Sequence, residues 1–314
     1  MTTERWLLLS GGVGGAKLAL GLDRVLPPGA LTVIANTGDD FRHLGLHVSP
    51  DLDTLVYTLG GLVNPETGWG RDGETWQFMN AVAELGGPDW FRLGDLDLAV
   101  HVERTRRLAA GETLTAVTAA LGERHGLRTR ILPMSDAPAP TRVRTANALL
   151  DFQDYFVRQR AEPVVTGFDY GGGAATPAVL AACAAPGLAG ILIAPSNPWL
   201  SIAPVLAVPG LAAALRTSAA PIVAVSPIIA GAALKGPTAK IMRELGVEVS
   251  ATGIAHYYRG VADGLVLDSA DAAEATPVEA AGLRARTAPT VMRTLEDRCA
   301  LARATLDFAR SLRP

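Results

Sequence analysis

Short apolar runs alternate along this chain with stretches of helical period, and polar or glycine-rich turns separate them. Leu7-Leu8-Leu9 stops at Ser10, opens into Gly11, Gly12, Gly14 and Gly15, and resumes as a helical pattern from Ala16. Residues 31–35, 190–194 and 221–225 are further apolar runs of strand length, and 247–249 and 264–268 are the last predicted strands. A strand covered on both faces has no polar side to show, so it reads as a continuous run and not as an alternation. With helical stretches between such runs, the connections are parallel crossovers. The pattern predicts an α/β, Rossmann-like fold with a mostly parallel sheet flanked by helices.

The middle of the chain departs from this rhythm. Three of the five tryptophans, Trp69, Trp76 and Trp90, fall within residues 62–91 among glycine-rich turns, which reads as a segment inserted beside the core. A basic helix over 102–107, helices over 114–121 and 151–158, a strand entering the turn at Pro133 and another over 164–170 follow. The organisation predicted is a single domain, 1–314, with its core in 1–60 and 160–314 and a mainly helical insert at about 61–160. Residues 41–48 read as an irregular connection, and an Ala- and Arg-rich remainder ends in a helix at about 290–310.

Composition narrows the classes of function. A net charge of −3 over 314 residues gives no concentrated basic surface, so no nucleic-acid partner is expected. Cys183 and Cys299 are the only cysteines and lie far apart, which points to free thiols and a cytoplasmic protein. Arg5 leads straight into an apolar run without a cleavable-signal pattern. The most apolar stretch, 177–195, is divided by Pro186-Gly187 into a helix-length and a strand-length piece, so no membrane span is expected.

The candidate chemistry gathers at predicted carboxyl ends of strands, where open α/β sheets bind ligands. Gly11, Gly12, Gly14 and Gly15 allow backbone N–H groups to approach a diphosphate, with the following helix presenting its positive end and Lys17 close by. The loop fits neither Gly-x-Gly-x-x-Gly, whose last position from Gly12 is Lys17, nor the Walker pattern. A glycine turn that binds nothing is the plain alternative. Asn36 and Asp40 close the second strand in a polar cluster suited to a ribose, a base or a metal. Asp51 and Asp53 flank a helix start where both can face one pocket, although N-capping by one of them explains the spacing equally. Ser196 and Asn197 end another strand. Lys235 and Lys240 lie near a helix N-terminus, where cations are unfavourable unless an anion joins them. Arg92, set between Phe91 and Leu93, is a candidate for an inward-facing cation.

Taken together, Ser10–Lys17, Asn36-Thr37-Gly38-Asp39-Asp40, Ser49-Pro50-Asp51-Leu52-Asp53-Thr54, Arg92-Leu93-Gly94-Asp95, Leu132-Pro133-Met134-Ser135-Asp136, Phe152-Gln153-Asp154, Pro195-Ser196-Asn197-Pro198 and Val225-Ser226-Pro227-Ile228-Ile229 resemble, in order, the 2-phospho-L-lactate transferase family of coenzyme F-420 biosynthesis. The resemblance implies transfer of a phospho-carboxylic acid from a guanosine diphospho donor to the ribityl hydroxyl of the deazaflavin FO, with release of GMP. It implies Asp53 and Arg92 on the FO side, and the diphosphate along the glycine loop near Ser196-Asn197. It also implies a homodimer, for which the apolar residues 200–232 offer one candidate face. Phosphoryl transfer needs its charge neutralised, so Mg²⁺ is expected on Asp53 and Asp51, with Asp40 assisting, Arg92 stabilising developing charge and Lys240 holding a phosphate or the donor carboxylate. Leu96 stands where the family often has a basic residue. The motifs leave phospholactate, phosphoenolpyruvate and phosphoglycerate open as the donor acid. A Rossmann oxidoreductase or sugar-nucleotide enzyme, and a non-catalytic guanine-nucleotide-binding protein, are the alternatives that hydride transfer or nucleotide binding without turnover would reveal.

Overall fold

The computed structural model describes residues 4–313. Seven parallel strands form the central sheet: β1 (Arg5–Ser10), β2 (Leu31–Ala35), β3 (Arg130–Pro133), β4 (Leu188–Ile193), β5 (Ile222–Val225), β6 (Gly264–Asp268) and β7 (Arg284–Ala288). Across the sheet they run 7-6-5-4-1-2-3. The chain winds outward from β1 to β3, crosses back, and winds the other way from β4. Neighbouring strands β1 and β4 therefore part at their carboxyl ends, which makes a crevice there.

The continuous run of β1 has the cause inferred from sequence. Leu7 and Leu9 pack into one core layer, while Trp6 and Leu8 pack into the layer on the opposite face. Helices α1 (Gly12–Val25) and α2 (Pro50–Leu59), with the C-terminal helix Leu295–Ser311, cover the second face. The first face is covered by shorter helices, among them Leu211–Thr217 and Ala251–Tyr258. Most of the apolar side chains of residues 200–232, including Leu200, Ile202, Val205, Val208, Leu211 and Leu215, are buried in this first layer.

Several elements differ from the sequence reading, each for a physical reason. Residues 41–48 form a hairpin, Phe41–His43 paired with Leu46–Val48, because Leu44 and Gly45 both adopt positive φ and so close a tight turn. The segment at about 61–160 is not wholly accessory. It contributes the edge strand β3, then part of a three-stranded antiparallel sheet (Thr141–Thr145, Leu149–Asp151, Val165–Tyr170). Its α-helices are α3 (Gln77–Glu84), α4 (Asp95–Ala109) and α5 (Leu114–Arg124), and the helix expected over 151–158 is a single π-helical turn, Asp154–Arg158, after a strand that ends at Asp151. Residues 247–249 form a loop, whereas Arg284–Ala288 is a strand at the other edge. That strand is mostly exposed and has no apolar run to betray it. The stretch 177–195 splits into the helix Pro177–Cys183 and strand β4, and among the described residues no single helix is long and apolar enough to cross a membrane.

Candidate active site

The crevice between β1 and β4 opens into a cleft of about 980 Å³. Its floor is made where the two strand ends meet. Ser196 Oγ donates to Gly11 O at 2.6 Å and accepts from Gly11 N at 3.3 Å, tying the turn after β4 to the turn after β1. Asn197 accepts from Trp199 N and Leu200 N, both at 3.0 Å, and so caps the next helical turn.

Three of the four glycines serve this junction. A Cβ on Gly11 would lie 2.5 Å from Asp51 Oδ2, one on Gly14 would lie 2.7 Å from Pro195 O, and one on Gly15 would strike the Ser10 hydroxyl. Gly12 is different: its φ of +66° requires the left-handed region, and the space beyond it is open. The glycines thus let protein approach protein, and the loop faces the cleft as a result.

Asp51 lies in the first turn of α2 and reaches across to cap α1. Its Oδ1 accepts from Gly12 N at 2.6 Å, and its Oδ2 accepts from Asn36 Nδ2 at 2.9 Å. Neither this carboxylate nor that of Asp53 caps its own helix, whose N-cap is Ser49. Asn36 is the strut beneath: the same Nδ2 donates to Asp39 Oδ1 at 3.2 Å, and its Oδ1 accepts from Gly38 N at 2.8 Å. Asp40 stands behind, accepting from Ser49 Oγ at 2.8 Å and paired with His47 Nε2 at 3.0 Å. Burial pushes the Asp51 carboxyl up to about 6, even against the bonds from Asn36 and Gly12. Burial and the neighbouring Asp51 and Asp40 carboxylates hold Asp39 well above the ordinary range.

Asp53, two residues on in the same first turn of α2, meets α4. Arg104, 1% exposed, grips both carboxylate oxygens of Asp53, the Oδ2 at 3.1 Å. Its Nη1 also lies 3.2 Å from His101 Nδ1, and because a guanidinium only donates, that ring nitrogen is the acceptor. The ring proton then sits on Nε2, 3.3 Å from Asp97 Oδ2. Tyr57 donates to the other oxygen of Asp97 at 2.5 Å. Burial alone would raise Asp97, yet the partnership with His101 and Tyr57 brings its carboxyl below the usual value. Asp53, Asp97 and His101 offer donor atoms that all lie within 4.8 Å of one another; the two carboxylates can take a metal ion there, whereas His101 would first have to give up its bond from Arg104 or its ring proton. Asp51 is outside that group.

The rim is aromatic and cationic. Arg92 lies over the Trp76 ring at 5.1 Å and donates to Asn80 Oδ1 at 2.8 Å, so it lines the cleft from an exposed position. Phe152 and Phe156 stack at 5.4 Å on the same cleft. Lys17 and Lys235 line the side nearest α1.

Of the residues singled out from sequence, Gly11, Gly12, Gly14, Lys17, Asp51, Asp53, Arg92, Ser196 and Asn197 line one cleft. Gly15, Asn36 and Asp40 support it from behind. Lys240 is elsewhere: its ammonium pairs with Glu244 at 2.6 Å and donates to Pro163 O at 2.7 Å. Sequence reasoning missed Asp97, His101 and Arg104, whose i, i+4 and i, i+3 spacing places them on one helix face. That spacing carries no meaning while 91–101 is left unassigned and the helix is started at 102.

The 2-phospho-L-lactate transferase CofD family model matches residues 7–293. A phosphoenolpyruvate transferase of Streptomyces avermitilis is 43% identical, the match covering 98% of this chain and 99% of that protein. A 2-phospho-L-lactate transferase of Methanosarcina mazei is 38% identical over 92% of this chain and 95% of its own. The crystal structure of a UPF0052 family protein from Bacillus halodurans superposes with a TM-score of 0.65 at 16% identity, covering 98% of this chain and 99% of that one, a likeness of fold. With its glycine turn, carboxylate cluster and arginine rim on one cleft, and with relatives matched nearly end to end, the chain belongs to the CofD family of 2-phospho-L-lactate transferases.

Proposed function

We propose that this protein transfers a phospho-carboxylic acid from a guanosine diphospho donor to the ribityl hydroxyl of FO, releasing GMP, in coenzyme F-420 biosynthesis. The observation that carries the reading is the meeting of Asp53 and Arg92 with the Gly11–Lys17 turn on a single cleft, since an acceptor hydroxyl and a diphosphate must lie side by side. The Streptomyces relatives, which are phosphoenolpyruvate transferases and more similar than the Methanosarcina 2-phospho-L-lactate transferase, favour phosphoenolpyruvate as the donor acid over phospholactate.

In the reaction the hydroxyl oxygen bonds to the phosphorus that carries the acid, and the bond from that phosphorus to the GMP oxygen breaks. GMP leaves with the electron pair, and the hydroxyl proton is released. Asp53, clamped by Arg104, is the carboxylate that orients the hydroxyl. Arg92 faces the charge that develops. Mg²⁺ belongs to this reading, with Asp53 and Asp51 as its holders and Asp97 as a further oxygen beside Asp53; when bound it would neutralise the diphosphate. The carboxylate oxygens of Asp53 and Asp97, which come within 4.8 Å of each other beside the cleft, fit such a cation.

The test is turnover of FO with the guanosine diphospho-phosphoenolpyruvate donor, followed by product mass, for the wild type and Asp53→Asn. Formation of the phosphoenolpyruvyl adduct, with kcat lower by about 100-fold or more in the variant, supports the assignment. No adduct with any of the three donor acids, or an unimpaired variant, rejects it.

A further inference from the structure

We propose that Lys17 and Lys235 form a two-lysine clamp on the diphosphate of the donor, holding the phosphate that leaves with the nucleoside. The inference deepens the function proposed above and rests on its donor being a nucleoside diphosphate ester.

The two lysines come from distant parts of the chain and face the same cleft. Lys17 stands on the second turn of α1, directly behind the glycine turn. Lys235 comes from the loop after the small ribbon Ile228–Ile229 and Ala232–Ala233, just before the helix Thr238–Glu244. The 64–72 loop lies between Lys235 and the first turn of α1, for a Cβ at Gly68 would lie 3.1 Å from Val13 Cγ1 and 4.0 Å from Lys235 Nζ. Lys235 is thereby placed near the first turn of α1, lining the same cleft as the glycine turn.

Neither lysine has a carboxylate partner among the described residues. Lys17 Nζ donates to Met292 O at 3.2 Å and Lys235 Nζ donates to Thr67 O at 2.9 Å. One carbonyl each leaves two of the three donors of each ammonium unspent. Carboxylates are not scarce in this chain, which has 31 acidic against 28 basic residues. Lys240, only five positions from Lys235, is neutralised by Glu244. Burial, then Arg298 and Lys235, hold Lys17 below the ordinary ammonium range, so positive charge is concentrated here. A bound anion with several acceptor oxygens would relieve that repulsion through charge-assisted hydrogen bonds.

Binding by titration calorimetry of GDP and of guanosine to the wild type, Lys17→Met, Lys235→Met and Lys235→Arg tests the clamp. Lys235 is exposed, so its variants fold. The expected result is GDP binding weakened about tenfold or more by either methionine, guanosine binding changed by less than about twofold, and recovery in Lys235→Arg. With the full reaction, kcat should fall more than the donor KM rises, because charge on the departing phosphate grows in the transition state. GDP bound equally well by both methionine variants, or guanosine losing as much as GDP, overturns the clamp. A wild type that binds GDP through these lysines without converting FO would retain the clamp and reject the transferase reading. A wild type that binds no GDP rejects both.

Discussion

The two walls of the cleft handle charge in opposite ways. On the wall built from β2, α2 and α4, the carboxylates facing the cleft are buried or half-buried and individually held: Asp51 by Gly12 and Asn36, Asp53 by Arg104, Asp97 by Tyr57 and His101. On the opposite wall, Lys17 and Lys235 each rest on one backbone carbonyl. A buried charge without a partner is very costly, so the acidic wall must be complete before any ligand arrives. Half-exposed or exposed ammonium groups are hydrated, and can wait for theirs. One wall is preorganised architecture, and the other is poised for an anion.

Breaking the acidic wall at its hub should have the largest effect. Arg104→Met leaves Asp53 buried without its counter-charge and should cost about 3–5 kcal/mol of stability, read by urea unfolding, together with most of the activity. A loss near zero would mean that Asp53 finds water or another partner, and that Arg104 does not position it.

Asp51 allows a finer test through pH. Its folded carboxyl is pushed up to about 6 by burial, above the ordinary 3.8, so between those values the folded state holds a proton that the unfolded state has released. Its contribution to stability therefore falls as pH rises through this window and is constant above it. Asp51→Asn removes that dependence. The stability of the variant relative to wild type should climb from pH about 4 to about 6 and then level off, and parallel curves would contradict the raised carboxyl.

The smallest change is expected away from both walls. Lys240→Met breaks a partly exposed pair with Glu244, worth about 0–1 kcal/mol, and should leave the GDP affinity within about twofold. A tenfold loss would return Lys240 to the ligand and weaken the contrast with Lys235.

Much of this was legible in the residues themselves. The run Leu7-Leu8-Leu9, the glycine turn and the strand ends at Asn36 and Ser196 place a parallel sheet and its ligand edge, because burial on both faces and close backbone approach each leave a local mark. Motif order led to the family. Less legible were β7, whose exposed edge position demands no apolar run, and the hairpin over 41–48, whose turn needs positive φ at Leu44 as well as at Gly45, which a leucine does not announce. The acidic wall was half visible: Asp51 and Asp53 stood out, but the partner of each comes from another element.

The sequence by itself determined which strands are buried, where the chain turns sharply and which acids sit at helix starts, since these depend on neighbours within a few residues. Only the tertiary structure decided what those acids are for. It brought Arg104 to Asp53 across 51 positions and set Lys235, not Lys240, beside Lys17. Charge pairing depends on distance in space, and in this fold that distance is set by how α4 packs on the 41–48 hairpin and α5 and by where the 64–72 loop meets Val13, which no local pattern encodes.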